Sequence, residues 1–245
     1  MVLGTPSLET SRRNVIMMRK TLLEASAVLG VLILATWLIS VISADVAISS
    51  WFCIDGHWPV GDQFFWQVFY KLDRTPAILL ALFSLLLALY SLKNRSFITW
   101  RKQSVFLVIL LIIGPGLVVN SYFKSHWGRP RPREILQFGG QKEFRQPWQK
   151  GDSGKGRSFP SGHAAAAFYM TAPFFIYRRS RPRLACAWLT GGLIFGVFMS
   201  IARITQGGHF ISDCLWAFGV VYLVALLLAA VVRPDQDIPT ETMPG

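Results

Sequence analysis

Residues Ala202–Val232 read ARITQGGHFISDCLWAFGVVYLVALLLAAVV, and the fold turns on this stretch. From Ile211 to Val232 the chain is apolar in every turn, with one charged side chain, Asp213, near its start. An apolar run of about 18 or more residues is long enough to cross a bilayer as a helix, so this segment is expected to span a membrane. Upstream, Gly207 and Gly208 permit a tight reversal, and Arg203 ends another apolar run. His209 and Asp213 are four apart, which puts them on one face of a helix. An ionised Asp213 just inside an apolar span is costly without a partner, so the stretch carries a polar requirement as well as a hydrophobic one.

Working outward, five more segments read the same way. The six cores are Ser26–Ile42, Pro76–Leu92, Val105–Tyr122, Ala164–Tyr177, Leu184–Ile201 and Ile211–Val232. The composition agrees: 52% of residues are hydrophobic and only 16% charged, too few polar groups to cover a soluble domain of 245 residues. The expectation is an all-α integral membrane protein with six transmembrane helices in one bundle. It would be a single domain over 1–245, with a core at about 21–232 and cytoplasmic tails at 1–20 and 233–245. The first segment follows Arg12, Arg13, Arg19 and Lys20, as a signal peptide would. Its apolar stretch is long and lacks a small-x-small cleavage pattern, so it reads as an uncleaved anchor. Cys186 and Cys214 fall inside apolar segments, which argues against a disulfide framework, and no cysteine spacing suggests zinc.

The net charge of +12 is unevenly distributed. The N-terminus, the segment with Lys93, Arg95, Arg101 and Lys102, and the segment with Arg178, Arg179, Arg181 and Arg183 would share one side. Positive-inside bias makes that side the cytoplasm. The first outer loop, 44–75, has Asp45, Asp55, Asp62 and Asp73 against Lys71 and Arg74. The second outer loop, 123–159, breaks the rule with nine Lys/Arg and three Asp/Glu. Either it rests on anionic headgroups, or its cations are kept for an anionic ligand.

Three pieces favour the ligand. Lys124-Ser-His-Trp-Gly-Arg-Pro-Arg-Pro132 follows the third segment. There Lys124 supplies a point charge and Arg131 a planar fork suited to phosphate oxygens. Ser158-Phe-Pro-Ser-Gly-His-Ala-Ala165 opens the fourth. Ser161 suits a helix start, Gly162 allows close backbone approach, and free N–H groups there would attract an anion beside His163. The third piece holds Arg203, His209 and Asp213, where a carboxylate could fix the imidazole tautomer. Each piece alone has a bland reading: a headgroup anchor, a capped helix, a structural His–Asp pair. A six-helix count brings all three to the same bilayer face.

Lys124…Arg131-Pro132, Pro160-Ser161-Gly162-His163 and Arg203…His209…Asp213 resemble the three-part signature of the type 2 phosphatidic acid phosphatase superfamily. The resemblance covers residues 105–232. One position departs: Ala202 stands where the family pattern has serine, which removes a hydroxyl donor and leaves the nucleophile in place. Within the superfamily, Gly114–Asn120, the Lys124–Pro132 run, Phe138-Gly-Gly and Gln206–Phe210 are similar to bacterial lipid A 4′-phosphatases.

The resemblance implies a metal-free, cofactor-free phosphatase of a bacterial inner membrane with a periplasmic site. His209 would be the nucleophile, Asp213 its orienting group and His163 the general acid. Lys124, Arg131, Arg203 and the N–H groups of Ser161 and Gly162 would hold phosphate. The expected partner is a lipid phosphate ester, lipid A or else phosphatidylglycerol phosphate, phosphatidic acid or undecaprenyl diphosphate, with no nucleic acid. Three rivals compete: a zinc site on His163, His209 and Asp213, transfer of the phosphate to an acceptor other than water, and a non-catalytic lipid binder or transporter. The loop 135–158 is expected to contribute to selectivity, and Trp127, Trp148 and Phe159 to lie at the interface.

Overall fold

The computed structural model describes residues 8–72 and 74–236. Asp73, residues 1–7 and residues 237–245, hence the ends of both expected tails, lie outside the described residues. Helix dominates what is described, with only isolated bridges at Ile54–His57 and Ile135–Lys142.

Five helical stretches among the described residues are long and apolar enough to cross a membrane: Asn14–Val41, Phe64–Lys93, Arg95–His126, Pro182–Thr205 and Ile211–Val232. The first belongs to α1 (Leu8–Val41), which begins well upstream of the expected core and turns part of the expected tail into helix. A short α2 (Ala44–Ser50) follows. The second stretch joins α3 (Phe64–Leu72), in what sequence alone reads as loop, to α4 (Thr75–Lys93).

The third stretch changes pitch. It runs as α5 (Arg101–Leu111), then as wider π-type turns over Ile112–Phe123, then as a last turn, α6 (Lys124–His126). Pro115 lies inside the wide turns. Proline has no N–H and crowds the carbonyl four residues back, so the regular ladder is lost. Asn120 Nδ2 donates to the Pro115 carbonyl at 2.7 Å, satisfying that acceptor.

The expected fourth crossing differs most from its sequence reading. It consists of α7 (Gly162–Phe168), a tighter turn at Tyr169–Thr171, and α8 (Pro173–Tyr177). Pro173 interrupts the ladder, and the segment is too short and broken to stand with the five long ones. It is also buried almost throughout, with Ala164, Ala165, Ala167, Tyr169 and Phe175 fully enclosed. It is therefore the centre of the bundle. Alanines keep it slim, and Gly196 of α9 (Pro182–Thr205) accepts the Phe168 ring where a Cβ would collide. Small residues that let helices close up are the usual device in apolar surroundings. The last helix, α10 (Ile211–Val232), coincides with the expected span. Phe106, Leu110, Val119, Ala217 and Val221 complete the core around α7.

Helix α1 is peripheral. Leu32 and Thr36 are buried against α10, where Trp216 Nε1 donates to Thr36 Oγ1 at 2.9 Å, while Val31, Ile33, Leu34 and Trp37 are exposed. These exposed apolar faces suit a lipid surround.

Candidate active site

The ends of α6, α7, α9 and α10 converge, and with them the residues singled out in the sequence. Lys124 and Arg203 are 8% and 5% exposed and His209 is 1% exposed, so the site is a chamber rather than a surface patch. Arg74, Arg131, Arg157 and Arg203 all lie within Coulombic reach of Lys124. Arg203, His209, Lys124 and Arg74 lie within reach of His163. Among the described residues, Lys124, Arg131 and Arg203 form no ion pair.

Local sequence explains how the cations enter. A Cβ on Gly162 would sit 2.7 Å from Lys124 Nζ and closer still to Asn120 Oδ1, so only glycine lets the ammonium pass. A Cβ on Gly208 would strike the Arg203 guanidinium. Gly207, at φ 58, makes the reversal and lies flat on the Trp58 indole. Arg203 is further fixed by the Gln206 side-chain oxygen and by the Tyr70 ring, 4.9 Å below its carbon. Tyr70 also stacks on His163, with ring centroids 5.5 Å apart. Burial and neighbouring Arg133 push the Arg131 guanidinium below its ordinary value. Arginine keeps its proton in proteins, so this is crowding that an incoming anion would relieve.

His209 is anchored differently from expectation. Its Nδ1 lies 2.7 Å from the Ser158 carbonyl oxygen and 3.7 Å from Asp213 Oδ2. A carbonyl can only accept, so Nδ1 carries the proton and Nε2 holds the lone pair in the neutral ring. The tautomer is thus set by a backbone carbonyl, with Asp213 behind it. Burial, and after it the charge of Arg203, lowers the His209 pKa to about 4, against the pull of Asp213. The ring is neutral near pH 7.

Asp213 is committed elsewhere. Its Oδ1 receives Arg129 Nη1 at 2.5 Å, and its Oδ2 receives the Ser158 hydroxyl at 2.6 Å and the Phe210 N–H at 2.8 Å. The last contact caps α10 from its third residue. Arg129 is fully buried and also donates to Ser212 Oγ at 2.8 Å, to Asp45 Oδ2 at 2.7 Å and to the Arg145 carbonyl at 2.8 Å. Its guanidinium lies 4.5 Å from the Phe210 ring centroid. Asp45, read from sequence as an ordinary outer-loop acid, is 2% exposed and accepts from Ser212 N and Oγ. Sequence reasoning passed over Arg129, Asp45 and Ser158. The signal was present: a carboxylate inside an apolar helix demands a cation, and Arg129 stands in the same basic run as Lys124 and Arg131.

One phosphate-donor expectation changes. The Ser161 N–H is spent on the Asp213 carbonyl at 3.1 Å, so it is not a phosphate donor in this arrangement. Helix α7 has 7 residues, too few for a large dipole, which leaves the side-chain cations as the main anion cradle. Phe159 is buried at 4% exposure and stacked on Trp127, whereas Trp148 is exposed. Among the described residues, no group of three or more His, Cys, Asp or Glu is placed to hold a metal ion.

The arrangement gathers three cations within Coulombic reach of one another, beside one neutral imidazole with a free lone pair and a second imidazole stacked on Tyr70. The comparisons with known proteins agree in kind. The PAP2 superfamily profile matches residues 104–237. The lipid A 4′-phosphatase of Francisella tularensis subsp. novicida is 36% identical over 141 residues, which is 57% of this chain and 63% of that protein. That of Rhizobium leguminosarum is 30% identical over 164 residues, 65% of this chain and 68% of that protein. That of Rhizobium etli is 33% identical over 120 residues, 48% of this chain and 46% of that protein. The chain thus spans roughly half to two thirds of the length of these relatives. No solved structure matches. The superfamily profile takes in more than half of the chain, with every motif of the chamber inside it, and the chain belongs to the PAP2 superfamily.

Proposed function

We propose that this protein is a membrane lipid phosphatase that hydrolyses a phosphate monoester of lipid A through a phosphohistidine on His209. The observation that carries this reading is the Nδ1 contact of His209 with the Ser158 carbonyl at 2.7 Å, within Coulombic reach of Lys124 and Arg203. It supplies a neutral nucleophile where a phosphate dianion is attracted.

In the first step His209 Nε2 bonds to phosphorus and the P–O bond to the lipid breaks. His163, which takes up a proton once the phosphate dianion sits beside it, gives that proton to the departing alkoxide. Lys124, Arg131 and Arg203 bear on the non-bridging oxygens, where transition-state charge is spread. Asp213 offsets the positive charge of the phosphorylated ring from 3.7 Å and keeps Ser158 and Phe210 in place. In the second step water, deprotonated by His163, attacks phosphorus, and inorganic phosphate leaves with His209 restored.

The substrate choice rests on the relatives, whose names give lipid A as what they act on. The topology follows the charge pattern: one domain with six crossings, the fourth being the buried Gly162–Tyr177 segment, both termini cytoplasmic and the chamber periplasmic in a bacterial inner membrane. The test is purified protein in detergent with lipid A, phosphatidylglycerol phosphate, phosphatidic acid and undecaprenyl diphosphate. Released phosphate and the mass of the lipid product are measured. Lipid A is expected to lead. Faster turnover of another lipid would replace the substrate, transfer of labelled phosphate to a lipid acceptor would replace hydrolysis, and release from none would end the reading.

A further inference from the structure

We propose that the groove of about 550 Å3 between α4, the turn after α7 and α9 seats the far part of one acyl chain of the lipid whose phosphate is cleaved at His209. This rests on the phosphatase reading above and adds a chain-recognising site to it. Pro76, Met170, Leu184, Trp188, Gly191 and Phe195 line the groove. None is charged, and the volume is that of a small-ligand pocket. The groove lies beside two stretches that are apolar and long enough to cross a membrane, so the occupant offered to it is hydrocarbon.

Continuity with the chamber names which hydrocarbon. His163 stacks on Tyr70. The next residue back, Phe69, stacks on Phe198 at 5.4 Å and lies 6.3 Å from Phe195, which forms the near end of the groove. An apolar track of rings therefore leads from the proposed general acid into the groove. Along α9, at about 1.5 Å per residue, Phe195 lies roughly 12 Å from Arg203. A headgroup phosphate in the chamber would leave the first carbons of its chain along the rings and deliver the later ones to the groove. Long chains would reach it and short ones would not.

Gly191 makes this testable. A Cβ there meets nothing within 4 Å, whereas one on neighbouring Gly192 would collide with the backbone of Thr171. Gly191→Leu therefore fills the groove without displacing a packed atom. The full chain in detergent is assayed with lipid A and with p-nitrophenyl phosphate, a monoester with no acyl chain. The ratio of the two kcat/KM values is expected to fall about tenfold in Gly191→Leu, the scale on which a hydrophobic pocket discriminates. Ala187→Leu, one turn away on the same wall, should repeat the fall, and Gly191→Ala should leave the ratio near wild type. As a second readout, n-hexadecyl phosphate should inhibit wild type about tenfold better than n-hexyl phosphate, with the difference lost in Gly191→Leu. An unchanged ratio overturns the groove and leaves the phosphatase reading intact. Equal loss on both substrates also overturns it, since damage to the chamber or fold has no chain preference. A wild type inert toward both substrates overturns the phosphatase reading itself.

Discussion

Arg129 and Arg203 are buried to a similar degree, yet they sit in opposite electrical surroundings. Arg129 has a carboxylate on each side, Asp45 and Asp213, and a serine hydroxyl between them. Arg203 has a side-chain amide, an aromatic face and two more cations nearby. A buried charge that finds its counter-charge inside the protein is part of the scaffold. One that does not is held ready for a charge from outside. A scaffold arginine and a proposed phosphate holder therefore differ here in their neighbours, not in residue type or depth.

The strongest way to break this comparison is to remove the proposed nucleophile from the cationic region. His209→Ala should lower turnover of lipid A by about 10^4-fold or more while the protein still expresses and folds, measured by released phosphate. Next is the scaffold. Arg129→Met strands two buried carboxylates and should cost about 3–5 kcal/mol, read as a lower thermal midpoint in detergent. Asp45→Asn in the same chain should restore part of it. If Arg129→Met lowered activity without touching stability, Arg129 would belong with the ligand holders.

Arg203→Gln should cost about 10^2–10^3-fold in kcat/KM, with a thermal midpoint equal to or above that of wild type because repulsion in the chamber is relieved. Orthovanadate, a phosphate mimic, should raise the wild-type midpoint. At a hundred times its dissociation constant the gain is about 2.7 kcal/mol, and Lys124→Met should lose most of it.

The last test is in pH. The folded-state pKa of His209, about 4, is below its ordinary 6.5. Between these values the unfolded chain binds the extra proton. The stability His209 contributes is therefore complete above about 6.5 and is lost as pH falls toward 4. Once the second ionisation of the substrate phosphate, at about pH 6, is divided out, the acid limb of kcat/KM should likewise fall near pH 4 and not near 6.5.

Much of the fold was legible because apolar length is a one-dimensional property. Ile211–Val232 and Thr75–Lys93 match their expected spans almost residue for residue. The fourth segment was less legible. Its alanines and Pro173 describe a slim, broken helix at the centre, and a count of apolar residues cannot tell a central helix from a lipid-facing one. Likewise α3 hid inside a loop, although Tyr70 on it clamps His163. In the chamber, charge and spacing pointed to Lys124, Arg131, Arg203, His163 and His209, and the structure brings them together. The partner of His209 was not legible, because the Ser158 acceptor is a backbone carbonyl, which every residue has. The partner of Asp213 could have been inferred from the cost of an unpaired carboxylate in an apolar helix.

The tie between Asp45 and Ser212 bridges 167 positions of chain. During synthesis Asp45 leaves the ribosome long before the residues that complete its shell. Until Arg129 and then Ser212 arrive, its carboxylate must keep water or headgroups as company. Closure of that shell and arrival of His209 are thus nearly simultaneous, within three residues of each other. A polypeptide cut short before residue 209 would lack the proposed nucleophile and would also betray itself through an unsealed acidic contact, the kind of defect on which membrane quality control can act.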